Sequence, residues 1–396
     1  MAAGTGHHYS CLTPHSLVDG KDVLPSVVLE RRVLAVHELG DWKMRQTEIL
    51  RCDRITKYGL PDELMEWVVR IGAQVVAPPA HSTMFIIMSR VEQEAMGGLV
   101  RAELLATNEH IIVMSVSFPM CRSSSRFYLV YDASDASICM APDLQSAYPN
   151  RKVIPAVTIR PLPVRRDVRH YSIVLLGRAI PDGKGGPRQD CVCLWPPPDS
   201  SPSSSTCAPK WGIKPAIFPK EVAKRGFTAN ELFVLNGMAM WADLQHGILV
   251  CRLGDLLESD RHNVQLIFVD LPPGCCNDGV GTRPIFESSP VEEYRSIACV
   301  SGTIKFVSIE GYLRKTNVDL QDRKVTMWSL TPESWVWSKE CDLRVGDIWE
   351  QAYSSLPLEH KSSDGTATPM PWVLEFDWQQ QEHDKWRKCR QRHSFC

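Results

Sequence analysis

The 396-residue sequence predicts a mainly all-β chain with a few short helices. Three observations carry that prediction. Apolar residues recur with period two, two hairpins are readable from their turn chemistry, and few segments show helical spacing. With 44% hydrophobic and 23% charged residues, the composition is that of a folded protein. One core rarely grows past about 250 residues, so the length predicts two subdomains or a repetitive β architecture.

In chain order, Pro61-Asp62-Glu63 opens a segment with Leu64, Trp67, Val68 and Ile71 at helical spacing, closed by Gly72. Proline in the first turn and glycine past the end predict a helix there, with Trp67 packed inward. Ile112, Met114, Val116 and Phe118 alternate on one strand face, and Phe127, Leu129 and Tyr131 repeat the pattern. Such alternation puts one face in a core and the other toward water or a second sheet. Tyr171–Leu176 and Cys191–Trp195 read as further strands, followed by Leu249, Cys251 and Leu253, then Val264, Leu266 and Phe268. Thr228 and Glu231 match a capping box, but Asn236-Gly237 follows so soon that a strand fits equally well. Ser301-Gly302 joins Tyr294–Val300 to Thr303–Ile309, and Thr331-Pro-Glu-Ser334 joins Val325–Leu330 to Trp335–Lys339. In the last strand Trp335 and Trp337 share a face, which predicts a buried aromatic layer. Asp347–Tyr353 reads as a short helix.

Residues 1–20 are expected to be a flexible start, 21–195 a first β-rich half and 211–378 a second. Between the halves, residues 196–210 are rich in Pro and Ser and read as a long loop or a linker. Residues 379–396 form a basic tail.

Lys plus Arg number 44 against 46 Asp plus Glu, so no global field draws the chain to nucleic acid or an anionic membrane. No run reaches the roughly 18–20 apolar residues of a bilayer span. The 14 cysteines lack framework spacing, and the first residues show neither the charged nor the apolar region of a secretory signal, so the expected compartment is a reducing one, the cytosol, nucleus or both.

The motifs of nucleotide cradles, hydrolase elbows and metalloprotease helices are missing. Gly183-Lys-Gly-Gly186 reads as a surface turn. Cys275-Cys276 and the Cys191/Cys193 pair lack redox or zinc spacing and read as buried or loop thiols. His383, Cys389, His393 and Cys396 are ligand types without a standard zinc order, so neither metal nor cofactor is predicted. Lys385, Arg387, Lys388, Arg390 and Arg392 could form an import signal or a phosphate contact. Like Arg151-Lys152 and Arg165-Arg166, they read first as solvated charge. Trp241 reads as core, Asp243 as a turn-holder that accepts backbone N–H groups, and Gly247 as a turn residue.

The segment Trp241-Ala-Asp243-Leu-Gln-His-Gly247-Ile-Leu-Val-Cys251 resembles the start of the plant family described as domain of unknown function 1618. The resemblance continues in order through Phe268-Val-Asp-Leu-Pro272-Pro-Gly274, Arg295-Ser-Ile, Gly302-Thr-Ile-Lys-Phe306, Trp328-Ser-Leu, Trp335-Val-Trp337 and Val345-Gly-Asp-Ile-Trp349. Its best-matched part is about residues 241–350. The family is similar to propeller-like regions of F-box-associated proteins, which implies a propeller-like, multi-blade β architecture. At about 40–50 residues per blade, roughly six to eight blades would follow. The same resemblance implies no established activity. The sequence reading is therefore a non-enzymatic scaffold or adaptor for an unidentified protein partner. The alternatives are an enzyme with a motif-free propeller pocket and a nucleic-acid-associated protein that uses its tail. Oligomeric state is not legible.

Overall fold

The computed structural model describes residues 10–12, 27–29, 32–37, 48–50, 54–57, 70–74, 82–88, 91, 94, 100–118, 126–144, 153–167, 170–180, 188–196, 211–258, 263–275, 290–309 and 320–354. The described residues are mainly strand, with short helices at a few junctions. Two compact units are present: residues 1–308 with 327–340, and residues 309–326 with 341–396.

In the larger unit, β1 (Ser10–Leu12) pairs antiparallel with β2 (Val27–Leu29). Next come β3 (Arg32–His37), β4 (Glu48–Ile49), β5 (Arg54–Lys57), β6 (Arg70–Gln74) and β7 (Thr83–Met88). They flank β8 (Arg101–Asn108), β9 (Ile111–Ser117), β10 (Arg126–Asp132) and β11 (Ser137–Pro142) in a nine-stranded sheet. Its order is β4-β6-β7-β3-β8-β9-β10-β11-β5. The helix expected over 61–72 is contradicted at its end, because Ile71 and Gly72 lie in β6 and pair with Ile86 and Phe85 of β7. Pairing with a buried neighbour overrode the local helical signal. Trp67 and the start of that segment lie outside the described residues.

Strands β8–β11 form the first of four successive antiparallel meanders. The second contains β13 (Leu162–Arg165), β14 (Tyr171–Ala179), β15 (Gln189–Trp195) and β16 (Gly212–Ile217), with β12 (Val153–Pro155) also on β14. After α1 (Lys220–Arg225), the third runs β17 (Glu231–Leu235), β18 (Met238–Asp243), β19 (Gly247–Arg252) and β21 (Ile267–Asp270). The short α2 (Leu253–Leu257) follows β19, and β20 (Val264–Gln265) pairs parallel with β16. The fourth is β22 (Arg295–Val300), β23 (Thr303–Ile309), β24 (Lys324–Thr331) and β25 (Val336–Arg344). Thr228 precedes a strand and caps no helix, which settles the alternative left open by the sequence.

The first three meanders pack face to face, and alternation along each strand sorts side chains between two cores. Ile112, Met114 and Val116 of β9 enter a core with Phe127, Leu129 and Tyr131 of β10. Ile111 and Val113, on the opposite face, join Tyr128, Ile173, Leu175, Cys191, Cys193 and Trp195. The other face of β14 and β15 gives Val174, Leu176, Val192 and Leu194 to a third core, shared with Leu232, Trp241 and Leu249. Both faces of these strands are therefore covered: for β14 and β15 by a sheet on each side, and for β9 and β10 by the second meander on one side and by β3, β6 and β7 of their own sheet on the other.

The first strands of the meanders, β8, β13, β17 and β22, lie against one another in succession. Four-stranded meanders stacked by their faces, with first strands together, are the building scheme of a propeller's blades. The meanders begin at residues 101, 162, 231 and 295, so successive starts lie 61, 69 and 64 residues apart, more than the 40–50 residues expected for a blade.

Polar contacts join the meanders along their first strands. The buried Arg160 donates from Nε to the Leu105 carbonyl at 2.7 Å and from Nη1 to the Asn230 carbonyl, so one guanidinium bridges three meanders. Asn108 donates to the Pro163 carbonyl at 3.0 Å, and Asn230 donates to Glu292 Oε1 at 2.7 Å. Farther out, Trp211 donates to the Pro142 carbonyl at 3.1 Å and stands edge-on to Tyr128. Burial of the Tyr128 ring raises the pKa of its hydroxyl, so it stays protonated.

In the smaller unit, α3 (Val345–Ser354) covers the helix expected at 347–353. Arg344 pairs with Asp322 at 3.0 Å, and the Val345 N–H donates to the Arg323 carbonyl at 2.9 Å.

Candidate functional site: the Asp243 turn

The turn between β18 and β19 gathers most of the polar chemistry of the third meander. Asp243 ends β18 and is almost completely buried. Its Oδ1 accepts the N–H groups of Gln245 at 2.7 Å and His246 at 3.1 Å. Its Oδ2 accepts the Thr228 N–H at 2.7 Å and faces His246 Nδ1 at 2.9 Å. A carboxylate only accepts, so His246 Nδ1 carries the proton in this contact. Two oxygens offer about four lone-pair sites, and all four are occupied. Asp243 therefore has no acceptor left for a substrate proton or a metal ion, and what it does in this geometry is hold a turn.

The turn is also held from outside. Arg295 Nη1 donates to the Leu244 carbonyl at 2.8 Å, and Arg225 Nη1 donates to the His246 carbonyl at 3.3 Å. Asn230 Oδ1 accepts the Leu244 N–H at 3.0 Å. Arg225 also pairs with Asp270 at 2.7 Å and stacks over Phe268 at 5.2 Å from the ring centre. Trp337 donates its indole N–H to the Asp270 carbonyl at 2.7 Å and meets Phe306 edge-on, which ties the fourth meander to the third.

Trp241, Asp243, Gly247, Pro272, Gly302, Trp328, Trp335, Trp337 and Trp349 all fall in described segments. Trp241 is fully buried in β18, opposite Leu232 and Leu249, and its Nε1 has no hydrogen-bond partner. Replacing a buried Trp by Ala costs about 3–5 kcal/mol through lost contacts and the cavity left behind. Trp241→Phe is expected to cost much less than Trp241→Ala, because it keeps a ring and removes a donor that has no acceptor. Urea unfolding of the two variants checks that ordering.

Gly247 starts β19 between Asp243 and Asp270. A Cβ there would lie 2.4 Å from the Val269 carbonyl oxygen and 2.6 Å from Phe268 Cζ. Close approach of a neighbouring strand, more than turn flexibility, demands glycine at this position. Pro272 accepts the Cys275 N–H at 2.9 Å, with Pro273 next and Gly274 at φ 81°, the pattern of a type II turn. Ser301 and Gly302 take φ 50° and 77° in the two-residue hairpin read from the sequence.

Trp335 corrects its expectation. It closes the turn at φ 54°, its N–H donating to the Thr331 carbonyl at 2.9 Å, and β25 begins one residue later. The aromatic pair on this sheet is therefore Trp337 with Phe306, while Lys339 lies over Trp328. The buried Trp328 Nε1 has no hydrogen-bond partner, and Trp349 falls in α3.

Arg165 is a second correction. It is four-fifths covered, beside Glu109 at 3.4 Å and Asp132 at 3.7 Å, and is not a solvated surface charge. Asp132 repeats the Asp243 device, accepting the Ser134 N–H at 2.9 Å and its hydroxyl at 2.6 Å. Sequence reasoning gave no role to Asp132, Arg160 or Asn230, and Arg295 stood there only as part of a resembling segment. The physical signal for Asp132 was its position at the end of an alternating strand.

Cys191 and Cys193 do share a buried strand face, with sulfurs 3.9 Å apart. The contact with Cys191, reinforced by burial, pushes the Cys193 thiol up, while the same contact pulls Cys191 down. Burial, with the Asp255 charge nearby, pushes Cys251 up to about 12. Both raised thiols are protonated at pH 8 and hence poor nucleophiles. Iodoacetamide labelling of the native protein at pH 8, read by peptide mass spectrometry, is expected to leave Cys193 and Cys251 unmodified until denaturant is added.

Among the described residues no group of three or more His, Cys, Asp or Glu could hold a metal ion. Among them, too, no helix is long and apolar enough to cross a membrane. The tail ligands from His383 to Cys396, its basic run and Gly183–Gly186 lie outside the described residues.

Trp241, Asp243, Gly247, Pro272 and Gly302, spread along two adjoining meanders, all fall within the segment that matches a family model. Residues 241–377 match the family model described as protein of unknown function (DUF1618). The DUF1618 match covers about a third of the chain and begins inside β18. Thr228, Asn230 and Arg225, which complete the Asp243 turn, lie upstream of it. No curated protein matches the chain. Among solved structures, a chain of the phage phi92 endosialidase is similar over 78% of this chain, at 8% identity and a TM-score of 0.30. The similarity spans 65% of that protein, a little under two thirds of its length.

Proposed function

We propose that this chain is a non-enzymatic protein-interaction scaffold or adaptor-type module of a plant cell, acting in the cytosol, the nucleus or both. The observation that supports this reading is the use made of the polar groups at the Asp243 turn. The carboxylate is saturated by backbone and imidazole donors, and two arginines cap the turn's carbonyls. Beside the turn, Arg225, Phe268 and Trp337 are fixed in place yet only partly covered. Arginine and large aromatics held rigid at a surface give contact area at low entropic cost, the character of interface hot spots.

Affinity capture from native plant extract, comparing the full-length chain with a Lys385–Cys396 deletion, tests the proposal. A stoichiometric protein partner retained by both forms is the expected result. Nucleic acid recovered by the full chain and lost with the tail would transfer the function to the basic segment. The absence of any reproducible partner would overturn the scaffold reading.

A further inference from the structure

We draw no further inference here: the strongest candidate, the partly covered Arg225–Phe268–Trp337 cluster beside the Asp243 turn of the third meander, has its cation held by Asp270 and the His246 carbonyl, and nothing in the structure shows what covers it.

Discussion

Asp243→Ala is expected to destabilise the protein by about 3–5 kcal/mol, the range for breaking a buried, fully hydrogen-bonded charge network. The substitution removes all four accepted contacts and leaves the Thr228, Gln245 and His246 N–H groups without their carboxylate. Asp243→Asn is expected to fall between wild type and Ala. Its amide oxygen can keep the Gln245 and His246 N–H bonds, and its NH2 can donate to His246 Nδ1 in the other tautomer. The Thr228 N–H then faces an amide group that cannot accept, and one buried orphan donor costs about 1–3 kcal/mol. Urea midpoints ordered wild type, Asn, Ala would match this account. An Asn variant as stable as wild type would show that the carboxylate is not needed to hold the turn.

The second large effect is expected at Gly247. The methyl group of alanine would overlap the Val269 carbonyl and the Phe268 ring, at 2.4 and 2.6 Å. A side-chain ring can rotate away, but a backbone carbonyl in a paired strand moves only if β19 and β21 separate. Overpacking commonly costs about 1–3 kcal/mol, and this contact with backbone belongs at or above the top of that range. The displaced ring is also the one on which Arg225 stacks, so Gly247→Ala should loosen the Arg225–Asp270 pair as well. Thermal unfolding followed by circular dichroism measures the loss. Gly302→Ala is a useful comparison: it has open space around its Cβ position and a φ of 77°, so its cost is backbone strain alone, about 1–2 kcal/mol. A Gly247→Ala variant more stable than Gly302→Ala would contradict the close-approach argument.

How much was legible in the sequence depended on the range of the interaction. Ser301-Gly302 and Asn236-Gly237 declare their turns locally, because positive φ at two successive positions selects such residues. Alternation in β9 and β10 was visible, β14 and β15 read as strands, and the described cores cover both faces of all four. Ile71 was misread because a Pro-led segment with helical spacing says nothing of the partner strand that claims its end. Trp335 was misread because period two does not reveal where a four-residue turn releases the chain into its strand.

The candidate site was legible only in its carboxylate. Asp243 beside a strand end predicted a turn-holder, and its local bonds to residues 245 and 246 are of that kind. Its remaining support comes from Thr228, Asn230 and Arg295, which are near the turn in space and 14 to 51 positions away in sequence. Arginines that serve backbone carbonyls leave no pattern of opposite charges to find. Arg160, which donates to carbonyls 55 and 70 positions away, shows how far such a contact can reach.

The claim that the Asp243 motif is a structural clamp is tested most directly by amide hydrogen exchange at residues 228, 245 and 246. Slow exchange at all three in the native protein, lost together in Asp243→Ala while the amides of β9 and β10 keep their protection, is the result predicted. Exchange at open-loop rates in the native protein would contradict it, because those N–H groups would then not be held by the carboxylate.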